Sequence, residues 1–304
     1  MNQPSILVCF ACLAISFAHA EPKLEGQVAL AADATSGMDA YTQIQRVFGK
    51  RSIESPDRYP GNHTGFEHIR VEEDSEVGGY FRFYLHRDLD GDRHEGRAAS
   101  DRQRNEIKGY TGSDAVLKAR RGQVSRYRWK FRIGEDMGVT THFCHFFQLK
   151  GVGGDDADDP LLTLSGAVSK GKPLLELRHW PGEGAPAKKF SIADWSAVKD
   201  QWLQCACLVR YGDKGSIRFS ISTLDGTRIY VKEIAEVDTW RAGMEFVRPK
   251  WGVYRSLEEG EAIENETDVV CFTDFIVQEW SELPETLWIE QDGGGQAGTR
   301  PESK

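Results

Sequence analysis

The sequence predicts an all-β fold, a two-sheet sandwich of the jelly-roll or concanavalin type. Three observations carry that expectation. Short runs of aromatic and β-branched residues with period two recur from Phe66 to Glu279, bounded by Gly, Asp and Asn. Helical periodicity is scarce, and no strand–helix–strand alternation points to a parallel sheet. No internal repeat and no long Pro/Gly linker divides the chain, so residues 21–290 read as one domain.

The elements follow in order. Ile6 to Phe17 is apolar apart from Ser16, Cys9 and Cys12, and it ends at Ala18-His19-Ala20, a small-x-small cleavage pattern before Glu21. It is too short for a bilayer, which needs ~20 residues, so residues 1–20 read as a signal peptide and the protein as secreted. The segment before the run lacks the usual Lys or Arg. Residues 21–50 are weakly patterned, a leading strand or a wrap. Strands are then expected at Gly79–Leu85, Gln103–Tyr110, Gln123–Ile133, Thr141–Lys150, Leu161–Ser165 and Leu174–His179. The series continues at Gln204–Tyr211, Ser216–Leu224, Arg228–Ile234, Lys250–Arg255 and Val269–Glu279, with a hairpin turn at Asp225-Gly226. Ile192–Lys199, opened by Ser191, is the best short helix. Residues 291–304, rich in Gly, read as a disordered tail.

A net charge of -9 over 304 residues disfavours nucleic acid as a partner. It leaves room for a local basic groove that holds an acidic sugar polymer. Cys144, Cys205, Cys207 and Cys271 remain after the signal segment. Cys205 and Cys207 share a strand face and are poor partners for each other. A link from one of them to Cys144 or Cys271, or four small core residues, are both open. Neither a C-x-x-C pair nor a matching His suggests zinc.

Three segments place unusual polar residues on strands. Period two puts Arg102, Arg104, Glu106 and Lys108 on one face. Gln148 and Lys150 share a face, with His145 on the other unless a bulge intervenes. Lys250, Gly252 and Tyr254 share a third, with the glycine leaving room for a ligand to approach the backbone. Taken singly, these are a solvated sandwich face, a core histidine strand and a packed tyrosine.

Together they resemble the jelly-roll alginate lyases, which carry R-S-E-L-R, Q-I-H and Y-F-K-A-G-x-Y on three strands lining a concave groove. Arg104-Asn105-Glu106-Ile107-Lys108, Gln148-Leu149-Lys150 and Lys250-Trp251-Gly252-Val253-Tyr254 are similar to those motifs, in that order. The surroundings, Asp101–Tyr110, His145–Thr163 and Arg248–Ser256, look closer to the heparin-lyase-I-like and glucuronan-lyase-like branch. The likeness covers most of residues 80–280. Lys150 stands where the family has the His of Q-I-H.

The resemblance implies a secreted polysaccharide lyase that cuts a uronic-acid polymer by β-elimination. That reaction needs the uronate carboxylate neutralised, the C-5 proton removed and the departing O-4 protonated. Arg104, Gln148 and Lys150 suit the first task, Arg104 by a bidentate grip. Tyr254 is the expected base, acid or both, its phenolate favoured by neighbouring cations. His145 is the competing base. Lys108, Lys250 and Arg255 are candidate subsite contacts, and Glu106 is expected to orient Arg104 or Lys108. The expected partner is an acidic polysaccharide met by a monomer, without membrane, nucleic acid or required cofactor. Asp88-Leu89-Asp90-Gly91-Asp92 and Asp155-Asp156-Ala157-Asp158-Asp159 read as charged turns in preference to calcium sites. Asn62-His63-Thr64 and Asn265-Glu266-Thr267 are glycosylation sequons. The rival functions on the same sandwich are a carbohydrate-binding module and a glycoside hydrolase. The latter lacks its E-x-D-x-x-E strand here, since Glu72-Glu73-Asp74-Ser75-Glu76 has the charge without the spacing.

Overall fold

Alternation of large apolar and polar residues along successive strands builds two antiparallel sheets that face each other across an aromatic core. The computed structural model describes residues 21–284 apart from Asp155, Glu183, Glu261 and Ala262. The predicted signal segment 1–20 and tail 291–304 lie outside the described residues.

The first sheet has eight strands. They are β1 (Leu24–Leu30), β3 (Ile69–Asp74), β4 (Gly78–His86), β6 (Val124–Ile133), β11 (Leu203–Arg210), β12 (Gly215–Thr223), β13 (Arg228–Val237) and β15 (Thr267–Trp280). Their order is β13-β12-β11-β6-β15-β4-β3, and β1 pairs with β15. The second sheet has seven strands: β2 (Ile53–Glu54), β5 (Arg102–Lys108), β7 (Cys144–Val152), β8 (Leu162–Ser169), β9 (Lys172–His179), β10 (Lys188–Asp194) and β14 (Phe246–Ser256). Its order is β10-β9-β8-β7-β14-β5-β2.

The inward residues of β6 (Tyr127, Trp129, Phe131, Ile133) meet those of β7 and β14 (Phe147, Trp251). The Trp129 and Phe147 rings stack with centroids 4.4 Å apart, and Trp251 lies 5.2 Å from Phe275 on β15. Such pairs add about 0.5–1.5 kcal/mol each beyond simple area burial. The Asp225-Gly226 hairpin forms as expected, with Gly226 at φ 88° and Thr223 N bonded to Thr227 O at 3.0 Å.

The expected leading strand forms as β1, one expectation fails, and one element was not foreseen. Ile192 and Asp194 belong to β10, and only a single 3-10 turn follows at Trp195–Ala197. The one α-helix among the described residues is α1 (Ala40–Phe48), in the weakly patterned stretch. Asp39 caps it by accepting from Thr42 N at 2.6 Å, and Gly49 ends it. Its apolar face is Ala40, Tyr41, Ile44 and Phe48, with Val47 packed beside them, and buried Gln43 bonds the Asp33 and Met38 carbonyls.

The cysteine alternatives also resolve. Cys144, Cys205, Cys207 and Cys271 are all free and buried, and each thiol is raised above its ordinary value by burial. Among the described residues, no helix is long and apolar enough to cross a membrane.

Candidate active site

Strand register assembles the site on the outer face of the second sheet. β5 and β14 pair so that Lys250 faces Lys108, Gly252 faces Glu106 and Tyr254 faces Arg104. On the other side of β14, Lys250 faces Gln148 and Arg248 faces Lys150 of β7. The alternate residues Ile107, Trp251 and Phe147 point into the core. Arg104, Glu106, Lys108, Gln148, Lys150, Lys250 and Tyr254 therefore share one face, as period two predicts.

His145 joins them because a bulge does intervene. Between Trp251 and Tyr254 β14 carries one residue more than β7, and β7 carries one more than β8 between His145 and Phe147. Phe146 takes the extra position and packs inward against Trp195, which turns His145 outward, opposite Tyr254 and Ser165. Gly252 sits at φ 135°. A Cβ there would lie 2.1 Å from Asn105 O and 2.7 Å from Glu106 Cα. The space that a missing side chain leaves is thus filled by the neighbouring strand's backbone, not by a ligand.

Arg255 does not belong to this face. It is 1% exposed, sits opposite Cys144 and Gln103, donates Nε to Gln103 Oε1 at 2.9 Å and pairs Nη1 with Asp268. It links the two sheets internally and is no subsite contact.

A dense ion network underlies the site. Glu106 accepts from Arg104 Nη1 at 2.6 Å, from Gln148 Nε2 and from Lys250 Nζ. Glu54 of β2 pairs with Lys108 and, at 2.9 Å, with Lys250. Asp92, in the turn after β4, grips Arg104 through Nε at 2.7 Å and Nη2 at 3.2 Å. All three guanidinium nitrogens of Arg104 are thus engaged by protein carboxylates, so its place here is beneath Tyr254, where it holds that ring. Burial alone would raise the Glu106 and Glu54 carboxyls, but Lys250 and Arg104 hold both below the usual range, Glu54 with help from Lys108.

The cations respond in turn. Burial pushes the Lys108 ammonium down to about 8 against the pull of Glu54. Burial, and then Lys250 and Arg104, push Lys150 down to about 8. Lys150 Nζ donates to the Asp158 carbonyl at 2.8 Å. His145 is held well below the ordinary imidazole value by burial, followed by Arg178, Lys150, Arg104 and Lys250. It is a neutral ring at neutral pH, with Nδ1 2.8 Å from Ser165 Oγ.

Tyr254 occupies the centre. Its ring lies over the Arg104 guanidinium at 3.6 Å, and its hydroxyl accepts from Arg102 Nη1 at 3.0 Å. Phe143 lies 4.9 Å away and His145 6.1 Å away, centroid to centroid. Trp180 meets His145 edge-on at 6.1 Å. Tyr254, Lys150, Lys108 and Arg102 remain partly exposed, whereas Arg104, Glu106, Gln148 and Lys250 are buried below them.

Several contributors escaped the sequence reading. Arg102 was legible through its period with Arg104, though its bond to the phenol was not. Asp92 passed for part of a charged turn. Glu54 lies on a strand of two residues with no pattern of its own. The buried pair Glu176 and Arg178, with Thr163 and Ser165, extends the polar face across β8 and β9.

Solved structures share this architecture. An alginate lyase from Aplysia kurodai superposes with a TM-score of 0.54 at 10% identity, over 82% of this chain and 97% of that one. The alginate lyase Aly36B, in complex with an alginate trisaccharide, gives 0.54 at 9% identity over 84% and 99%. A family 7 alginate lyase in complex with substrate gives 0.50 at 8% identity over 84% and 93%. The fold is the jelly roll that these lyases share. No family model and no curated protein matches the chain. The likeness covers the two-sheet frame.

Proposed function

We infer that the protein is a polysaccharide lyase that cleaves a uronic-acid-containing polymer by β-elimination. The observation that carries this reading is Tyr254, its phenol oxygen bonded by Arg102 and its ring seated on Arg104, beside a neutral His145. Lys150, with Gln148 beneath it, is the cation that meets the uronate carboxylate and stabilises charge developing on it. The C-5 proton passes to Tyr254 or to His145, the C–H electrons form the new double bond, and the bond to O-4 breaks. Tyr254 supplies the proton that the departing O-4 takes up. Arg104, Asp92 and Glu106 hold the tyrosine and the lysines in place.

Two of the solved structures that share this fold are alginate lyases in complex with an alginate trisaccharide or with substrate, which favours an acidic polymer. A hydrolase needs two carboxyls flanking the scissile bond, whereas Glu54, Glu106 and Asp92 are each locked to Lys or Arg. The leader-like sequence of residues 1–20 supports a reading of the enzyme as secreted to where such polymers occur.

The test is Tyr254→Phe, assayed on glucuronan, alginate, heparin-type and ulvan-type polymers by the ultraviolet absorbance of the unsaturated uronate. Turnover should fall by about 10²–10⁴-fold with the near-ultraviolet dichroism of the fold unchanged. Near-wild-type turnover in this variant removes Tyr254 from the chemistry. Retention of polymer by the unmodified protein without any product makes it a binding module instead.

A further inference from the structure

Three of the His residues that the groove does not use converge at one point. His63 Nδ1 lies 2.8 Å and His68 Nε2 3.0 Å from Asp90 Oδ1, and His86 Nδ1 lies 3.3 Å from Asp90 Oδ2. All four ligand-type atoms fall within 4.8 Å of one another. The three rings stand nearly perpendicular in every pairing, at 82°, 81° and 84°, with centroids 5.0, 4.9 and 5.2 Å apart. Edge-to-face contact is ordinary for packed rings; what sets these three apart is that each turns a nitrogen toward Asp90. Asp90 is completely buried, and Phe66 covers the three rings at 4.5 to 5.9 Å.

An independent feature lies one bond further out. His68 Nδ1 is 3.0 Å from Asp57 Oδ1, and Asp57 is itself held by Tyr41 Oη at 2.7 Å and by Ser55 Oγ. A carboxylate that takes the far N–H of a histidine is the usual outer partner of a metal-ligating imidazole. A charged imidazole would serve both carboxylates by donating to each; with Nδ1–H given to Asp57, Nε2 is instead free to share a cation with Asp90. The Oδ2 atom of Asp90 is meanwhile fixed by the His86 backbone N–H at 2.6 Å.

We propose that His63, His68, His86 and Asp90 form a zinc site. Three imidazoles and one carboxylate are a zinc-type donor set, whereas calcium calls for six to eight oxygens. Neighbouring ligand atoms of a tetrahedral zinc are ~3.3 Å apart for bonds of ~2.0–2.1 Å; the separations from Asp90 run from 2.8 to 3.3 Å and all four atoms lie within 4.8 Å of one another, so small side-chain shifts would close them on the ion. The ion would tie the 63–68 segment, the end of β4 and the following turn into one unit. Two residues beyond Asp90 stands Asp92, which seats Arg104 under Tyr254, and Gln103 Nε2 bonds the Asp90 carbonyl at 2.9 Å. The site is structural, placed behind the groove strand.

The experiment uses tag-free full-length protein, stripped with a chelator and dialysed into metal-free buffer. Metal content after incubation with zinc, the unfolding temperature, and the visible spectrum with cobalt are then measured. One zinc per chain, a rise in unfolding temperature on adding zinc, and intense tetrahedral cobalt bands are expected. His63→Ala and His86→Ala, the more exposed ligands, should fold and lose the stoichiometric ion, while His94→Ala should keep it. No zinc taken up at micromolar concentration, equal uptake by the His63 and His86 variants, or preference for calcium each overturns the proposal. None of these readouts depends on polysaccharide cleavage.

Discussion

Lys150 shows how one side chain is set between stability and use. Burial, Lys250 and Arg104 lower its ammonium to about 8, so its charged form, the one that meets a carboxylate, is present below that pH and lost above it. We therefore expect kcat/KM for the uronate polymer to fall as pH rises through about 8, and Lys150→Arg to carry that limb upward, read from pH–rate profiles. The folded value lies below that of the unfolded chain, so holding the charge costs stability at neutral pH and the cost fades as pH rises toward ~10.4. Lys150→Met should accordingly raise the unfolding temperature at neutral pH while product formation drops by about 10²-fold or more. At this scale the strand alternation made most of the site legible, because seven residues on three strands needed only period two and adjacency. The same rule already set Arg255 on the opposite face from Tyr254; nearness in sequence had made it a subsite contact. Asp92 and Glu54 were not legible, since their roles arise only when distant chain segments meet Arg104, Lys108 and Lys250.

At the scale of elements, the paired bulges in β7 and β14 decide the chemistry. Without them His145 would point into the core and Tyr254 would face a different partner. Gly252→Ala tests this directly. Its positive φ alone costs about 1–3 kcal/mol for a residue with a side chain, and the added Cβ must push β5 away. A lower urea midpoint together with lost product formation is expected. Asp92→Ala should leave the sheets intact but free Arg104, lowering kcat by about tenfold or more with little change in KM. A bulge is hard to read from sequence because it changes one residue's count without altering composition. Helix α1 was legible in principle: Ala40, Tyr41, Ile44, Val47 and Phe48 recur at helical spacing over its nine residues, and Asp39 and Gly49 were both in place to cap it.

Across the whole molecule, a body of net charge -9 carries a face of lysines and arginines. A polyanion is drawn to that face against the overall field, and the attraction is screened beyond ~10 Å at 0.1 M salt. kcat/KM should therefore decline with ionic strength more steeply than kcat, measured in steady-state assays over a salt series. Acid should also weaken the fold. Glu54, Glu106 and Asp92 are buried, yet their cations hold each below its ordinary value. They contribute stability above the unfolded carboxylate range near ~4, and it is lost as pH falls through their folded values. The two-sheet architecture itself was the most legible property of all, since it rests on many strands and survives errors in a few.

The last two strands among the described residues, β14 and β15, each lie inside a sheet, β14 between β7 and β5 and β15 between β6 and β4. A ribosome therefore delivers the other thirteen described strands before either gap can be filled. Until then four strand edges stand open, the kind of surface that invites wrong pairing. Closure of both sheets thus waits on these two strands, and the tyrosine of the groove arrives on one of them.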